Sequence, residues 1–280
     1  MSTSLVLQEL GIVVAMQQLN PTLITEEFLK LSGVIPTDWQ LARQPIHNER
    51  VSQLFFTNEV SIVTESNRII FGESIGSKQI DTLSIATVAQ NYINVFKQAN
   101  FQAVGINLRS YSHQPSQLAA SEYINHQLLS KGSWQNYGTA PIQAALNVIY
   151  TLENRQLTLS VNAAEIQESE QSATPIILFS GNFNYNLSAL NTRSNLAVVG
   201  GILADWQQDL SVYRELISER FLGGDQPEHD NSTPVQILEA AFVKENCSNN
   251  LDELEIGYVP DHQLLVVAAV KINGTATESN

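Results

Sequence analysis

Charged side chains are scarce in this sequence, and cationic ones are the scarcest. Lys, Arg, Asp and Glu make up 15% of its 280 residues, well below the roughly 25% of an average globular domain. The 14 basic residues are scattered singly against 28 acidic ones, so the net charge is −14. Binding to nucleic acid or to an anionic membrane needs clustered cations. We therefore expect neither kind of partner.

Cysteine and long apolar runs are also lacking. Cys247 is the only cysteine, so the sequence allows no internal disulfide and no thiolate metal site. The first residues, Met1 to Leu5, lack the positive charge of a signal peptide. No apolar run approaches the ~18 residues that a membrane span needs. Together these absences predict a cytoplasmic protein.

The motifs that hold cofactors are missing as well. We find no phosphate loop, no dinucleotide-binding fingerprint and no H-E-x-x-H motif, and we expect no cofactor. The loop after Gly223 does combine carboxylates with an imidazole: Asp225, Glu228, His229 and Asp230. Charged residues are expected in such a loop, and nothing at helical spacing supplies a rigid ligand pair. We predict a solvated loop and no metal site.

What the sequence does contain is one pattern that occurs twice. A run of alternating strands precedes a long amphipathic helix, first over 51–100 and then over 143–221. Short turns and apolar–polar alternation are typical of antiparallel sheets, because buried parallel strands are apolar on both sides. We predict an α+β fold of two related units, each an antiparallel β-meander followed by a long amphipathic helix packed on one face. The units span 1–112 and 113–274, and 275–280 form a polar tail.

Local signals place several helix ends and one further strand. Thr25 is expected to cap a short helix that Gly33 ends in the left-handed conformation, and Asp81 is expected to cap the first long helix. Trp206 lies in the apolar stripe of the second long helix, which predicts that it packs in the core. A strand near the N-terminus is predicted by four alternating apolar residues: Leu10, Ile12, Val14 and Met16.

One segment matches the G-x-S-x-G pattern of a nucleophile elbow, with Ser74 at its centre. An elbow needs a sharp strand-to-helix turn on a parallel sheet. Here the strand belongs to a meander, and about five residues separate Gly76 from the start of the next helix. No His-Gly-Gly segment, which could supply an oxyanion hole, lies upstream. Four histidines without a distinctive setting remain as candidate bases: His113, His126, His229 and His262. We predict no catalytic residue, and a serine hydrolase using Ser74 is the alternative.

An uncharged polar surface is the feature that is unusual for an exposed sheet. Two predicted strands point only hydroxyl and amide side chains outward: Thr158, Ser160 and Asn162 on one, and Ser180, Asn182, Asn184 and Asn186 on the next. Exposed strand faces usually carry Lys and Glu, which also block pairing between sheets. This face is either solvated or in contact with another subunit or a polar ligand. Asn182, Asn184 and Asn186 are the interface candidates.

Three short strings give the chain a resemblance: Asn20-Pro21-Thr22, Pro36-Thr37-Asp38-Trp39 and Val60-Ser61-Ile62-Val63. With them the chain resembles a bacterial family of conserved hypothetical proteins, and its halves are similar to uncharacterised two-part α+β proteins. The resemblance implies the fold and no activity. Because weakly charged, amide-rich surfaces repel each other poorly, we predict a non-enzymatic protein–protein interaction or assembly subunit whose partner is a second copy.

Overall fold

One antiparallel sheet of nine strands runs through the structure. The computed structural model describes residues 4–140, 142–169, 172–188 and 195–223. The strands are β1 Val6–Met16, β2 Ile46–His47, β3 Val51–Phe55, β4 Val60–Glu65, β5 Arg68–Ser74, β6 Phe101–His113, β7 Ala145–Thr151, β8 Gln156–Ser169 and β9 Ser172–Asn186. Their order is β2-β3-β4-β5-β1-β6-β9-β8-β7, and every neighbouring pair is antiparallel. The α+β class and the antiparallel sheet are confirmed.

Five α-helices accompany the sheet in the described residues. They are α1 Glu26–Leu31, α2 Ile85–Val95, α3 Gln117–Glu122, α4 Leu196–Ala204 and α5 Trp206–Glu215. One π-helical turn extends α3 and another extends α5, over Tyr123–Leu128 and Leu216–Phe221. Short 3₁₀ turns cover Pro21–Leu23, Ile80–Thr82 and Ser133–Asn136.

The predicted N-terminal strand is the centre of the sheet. Leu10, Ile12 and Val14 of β1 are fully buried, because β1 has a partner on each side, β5 and β6. In register, Ile12 lies between Phe71 and Ile106, so alternate positions of three strands form one apolar layer. The buried apolar residues of the helices belong to the same apolar cluster.

The short helix α1 begins and ends where the sequence predicts. The Thr25 Oγ1 atom accepts the N–H of Phe28 at 3.1 Å, and Gly33 has a φ of +72°. A residue with a Cβ is strained in that conformation, which is why glycine stands there.

The prediction for Asp81 is wrong. Asp81 lies in the 3₁₀ turn before α2, and the carboxylate of Glu73 caps this helix instead. Its Oε2 atom accepts the N–H groups of Ser84 and Ile85 at 2.7 and 3.0 Å. Glu73 is buried and forms an ion pair with Lys78 at 3.2 Å. A carboxylate at the positive end of a helix is stabilised there, and this one comes from the neighbouring strand β5.

The second predicted helix is two helices that meet at Asp205. The Asp205 N–H donates to the Gly201 carbonyl at 3.0 Å, and α5 then starts at Trp206. Glycine lowers the stability of a helix, and Gly200-Gly201 lie one turn before this interruption. Trp206 is buried, so the prediction that it packs in the core is confirmed.

A glycine lets α5 approach the sheet closely. A Cβ on Gly181 would lie 2.7 Å from two ring carbons of Tyr213, so only glycine leaves room for this ring. The Tyr213 hydroxyl donates to the Phe179 carbonyl at 2.9 Å. Because its single proton is used there, the Ser110 hydroxyl donates to the Tyr213 oxygen, at 2.7 Å. These bonds join α5 to both β6 and β9.

The predicted division after residue 112 falls at the end of β6. This strand pairs with β1 on one side and β9 on the other, so strands from both predicted units share one sheet. The residues up to 223 belong to one compact unit. The division into 1–112 and 113–274 stays a prediction, and the tail 275–280 lies outside the described residues.

Candidate functional site

Alternate positions of β7, β8 and β9 point away from the apolar cluster that the helices share with the sheet. The positions facing that cluster include Leu157 and Phe183, and their chain neighbours face the other way. We call this second surface the uncharged face. It takes in all of β7 but only the first half of β8 and the second half of β9, and consists of Ala145, Asn147, Ile149, Thr151, Gln156, Thr158, Ser160, Asn162, Ser180, Asn182, Asn184 and Asn186. None of these side chains carries a charge.

The three predicted interface residues all lie on the uncharged face, in different settings. Asn182 is half-buried and donates through Nδ2 to the Oδ1 atom of Asn107 on β6. Asn186 accepts the N–H of Ser188 at 2.9 Å. Asn184 is exposed, and its amide makes no hydrogen bond with any residue that the structure describes. Of the three, Asn184 therefore has its bonding groups open to a partner.

The first half of the sheet presents a different outer surface. There Arg68 of β5 forms an ion pair with Glu65 of β4 at 2.7 Å. The Arg43 guanidinium lies 3.6 Å from the ring centroid of Phe55 on β3. Charged side chains thus reach over β3, β4 and β5, whereas the uncharged face has none of its own.

An ion pair borders the uncharged face on the central strands. Glu9 of β1 and Arg109 of β6 are register partners, with 3.1 Å between Oε2 and Nη1. Burial raises the pKa of the Glu9 carboxyl, and the positive charge of Arg109 acts in the opposite direction. Arg109 lies opposite Ser180 in the next strand, so the pair stands directly beside the uncharged face.

Ser74 is the last residue of a regular antiparallel strand. It lies opposite Glu9 in β1, and its N–H donates to the Glu59 carbonyl at 3.2 Å. Its chain neighbour Glu73 points to the other side of the sheet, where it caps α2. Within the G-x-S-x-G pattern, Glu73 is thus a helix-capping carboxylate and Ser74 is the end of a strand. The segment does not form a strand-to-helix elbow.

The described histidines lie away from Ser74. His47 is on β2, His113 on β6 and His126 in the π-helical turn after α3, and neither β2 nor β6 pairs with β5. His229 and His262 lie outside the described residues. Ser74 shares its side of the sheet with Asn182, but β1 and β6 separate their strands, about 15 Å at the usual strand spacing.

A buried polar cluster that the sequence did not predict lies on the side of the sheet that the helices cover. Asp209 of α5 is fully buried and pairs with Arg155 at 2.7 Å. The Tyr185 hydroxyl donates to both its carboxylate oxygens, at 2.9 and 3.1 Å. Burial raises the pKa of Asp209, against the lowering effect of Tyr185 and Arg155. The sequence feature that could have predicted this cluster is Asp209 itself, an acidic residue three positions after Trp206 within the apolar stripe of the helix.

Other classes of site have little support in the described part of the chain. No three His, Cys, Asp or Glu side chains there come close enough together to hold a metal ion. Asp225, Glu228, His229 and Asp230 lie outside this part, as does Cys247. Among the helices described, none has the length and apolar character needed to cross a membrane.

Comparison with known proteins adds no relative. No protein-family model matches the chain, and no curated protein matches its sequence. The resemblance to a family of bacterial conserved hypothetical proteins therefore stays a prediction, and the function has to be argued from the geometry.

Proposed function

We propose that this chain is a non-enzymatic assembly subunit that contacts a second copy of itself through the uncharged face. The observation that carries the proposal is the absence of charged side chains from the uncharged face, which covers β7 and the adjoining parts of β8 and β9. The two acidic residues of β8, Glu165 and Glu168, lie farther along that strand. In a chain with a net charge of −14, two copies that meet on this face place no like charges opposite each other. A protein partner, and no nucleic acid or membrane, fits that surface.

The chemistry of the side chains supports contact between proteins. Burying an ion without a partner is expensive, whereas hydroxyl and amide groups can bond to each other across an interface. Asn and Ser side chains both donate and accept hydrogen bonds, so a second copy of the same face can satisfy them. The exposed Ile149, with 64% of its surface accessible, adds an apolar group at one border.

We further propose that the sheet consists of two related units. Each would contain a strand, a short helix, a three-strand meander and a longer helical segment against one face. The strand order supports this, since β3-β4-β5-β1 on one side corresponds in reverse to β6-β9-β8-β7 on the other. This correspondence counts β6 with the second unit, so it divides the chain before Phe101 and not after residue 112. Only the second unit carries the uncharged face, so the proposed contact would be a property of that unit. A cytoplasmic location remains part of the proposal and rests on the single cysteine.

The test is to place one charge on the uncharged face and another elsewhere. Asn184→Lys puts an ammonium group on β9, at an exposed position of the face where a contacting copy would bury it without a partner. Asn94→Lys makes the same substitution at an exposed position of α2, and each variant gains one positive charge. We expect light scattering to show a lower mass for Asn184→Lys and an unchanged mass for Asn94→Lys.

Two results would count against this proposal. If both variants keep the wild-type mass, the copies meet elsewhere. If both lose mass equally, the effect comes from net charge and not from the position of the face.

A further inference from the structure

β7 ends the sheet order, and in the described part of the chain its only strand partner is β8. Its seven residues, Ala145–Thr151, include no charged residue, no proline and no glycine. Edge strands normally carry such residues because their free N–H and C=O groups can pair with another chain. The β7 edge lacks these protections.

The opposite edge of the sheet is protected. β2 is only two residues long and follows Pro45, which cannot donate a backbone hydrogen bond. The preceding arm bonds to the next strands: the Ala42 N–H donates to the Phe55 carbonyl at 2.7 Å, and the Thr57 N–H donates to Gln40 at 2.9 Å. The two edges of the sheet therefore differ, because the β2 edge is protected against pairing with another chain and the β7 strand carries no such protection.

Exposed aromatic residues lie next to the chain that enters β7. Trp134 and Tyr137 are 49% and 88% exposed. The Asn125 amide donates to the Ile142 carbonyl at 3.1 Å, and the Gln135 amide donates to the Asn125 carbonyl at 2.8 Å. Through Asn125, these bonds connect the 3₁₀ turn containing Trp134 to the segment that leads into β7. Tyr and Trp are enriched where proteins meet.

We propose that β7 pairs antiparallel with β7 of a second copy, about a two-fold axis at Val148. This register overlaps all seven residues of the strand and keeps the uncharged faces of both copies on the same side. Leu146 of each copy then lies opposite Tyr150 of the other, an aliphatic–aromatic pair that stabilises antiparallel strands. On the uncharged face, Asn147 lies opposite Ile149.

A second copy suits this edge better than a charged peptide does. Two chains of charge −14 repel each other, but β7 places no like charges opposite one another at the contact. A charged segment would find no counter-charge on β7. A two-fold contact also uses each exposed group twice, so Trp134 and Tyr137 contribute from both copies. The pairing joins the two uncharged faces into one continuous surface.

The register gives a sharp test, because residues 147 and 149 face each other across the two-fold axis. Asn147→Lys with Ile149→Lys places like charges opposite each other twice, whereas Asn147→Glu with Ile149→Lys places opposite charges there. Both double variants lose the same exposed isoleucine and change only exposed side chains. Equal melting temperatures will show that both are folded.

The dimer dissociation constants of the two variants are compared by light scattering in the Asn184→Lys background, which removes the contact of the proposed function. We expect the Lys/Lys variant to dissociate about tenfold or more readily than the Glu/Lys variant. Equal constants, or monomers in both cases, overturn the β7 pairing.

The inference shares with the proposed function the premise that copies associate, but it uses a different surface. If Asn184→Lys alone keeps the wild-type mass while the two double variants differ, the proposed face fails and the edge pairing stands. If Asn184→Lys alone lowers the mass while the double variants behave alike, only the edge pairing fails. A wild-type chain that is monomeric at every concentration overturns both.

Discussion

At the scale of single residues, Asn184 differs from its neighbours in what its amide does. Asn182 bonds to Asn107 across the strand, and Asn186 accepts the N–H of Ser188. Both amides are therefore partly satisfied inside the fold. Asn184 is exposed and bonds to no described residue, so it is the member of the group whose replacement reports on an interface rather than on the sheet itself.

Ser74→Ala should leave the protein nearly unchanged. The Ser74 hydroxyl makes no hydrogen bond with a described residue, and we expect the free energy of unfolding to stay within about 0.5 kcal/mol of wild type. A fluorophosphonate probe, which labels activated serines, should not react with the wild-type chain. Labelling that is lost in Ser74→Ala but kept in a Ser77→Ala control would instead support the serine hydrolase.

Trp206→Ala should destabilise the fold strongly. Trp206 is 6% exposed and belongs to the main apolar cluster, so removing its ring leaves a cavity that typically lowers the free energy of unfolding by about 3–5 kcal/mol. Trp134→Ala is the matched control, because Trp134 is 49% exposed. Chemical denaturation should separate the two variants clearly, and equal midpoints would contradict this account of the core.

At the scale of elements, a buried acid joins α5 to the sheet. Asp209 of α5 reaches Arg155 in the turn just before β8 and Tyr185 on β9, so one carboxylate connects the helix, this turn and the sheet. Burial holds the pKa of Asp209 above its ordinary value of 3.8. The folded chain therefore binds this proton more tightly than the unfolded chain does.

The raised pKa of Asp209 predicts a pH dependence of stability. The contribution of this group is fully present below 3.8 and is lost as the pH rises through the raised pKa. Asparagine does not titrate. The free energy of unfolding of wild type minus that of Asp209→Asn should therefore decrease as the pH rises from below 3.8 through the raised pKa. Urea denaturation across this range measures it, and a constant or increasing difference would contradict the raised pKa.

The elements that the sequence predicts best are those specified by local signals. The alternation of apolar residues around Ile12 is enough to predict the strand β1. Thr25 and Gly33 are enough to predict where α1 begins and ends. The cap of α2 could not be found in this way, because Glu73 lies on another strand and reaches Ser84 only after the chain has folded. The interruption at Asp205 was missed because the apolar stripe continues through it.

At the scale of the whole molecule, the strand order was beyond the sequence. Alternation predicts which way Asn182 points, but it does not show that β6 and Asn107 lie beside it. The pairing of β1 with β6 joins residues about a hundred positions apart, such as Glu9 and Arg109, and no local pattern encodes such a register. The edge position of β7 follows from the same long-range order.

The most direct test of the central claim is the mass of the wild-type chain in solution. One chain has a mass of 30.9 kDa. If copies associate through the uncharged face, light scattering over a range of concentrations should show a mass that reaches at least twice 30.9 kDa. A mass that stays at 30.9 kDa at every concentration would contradict the account.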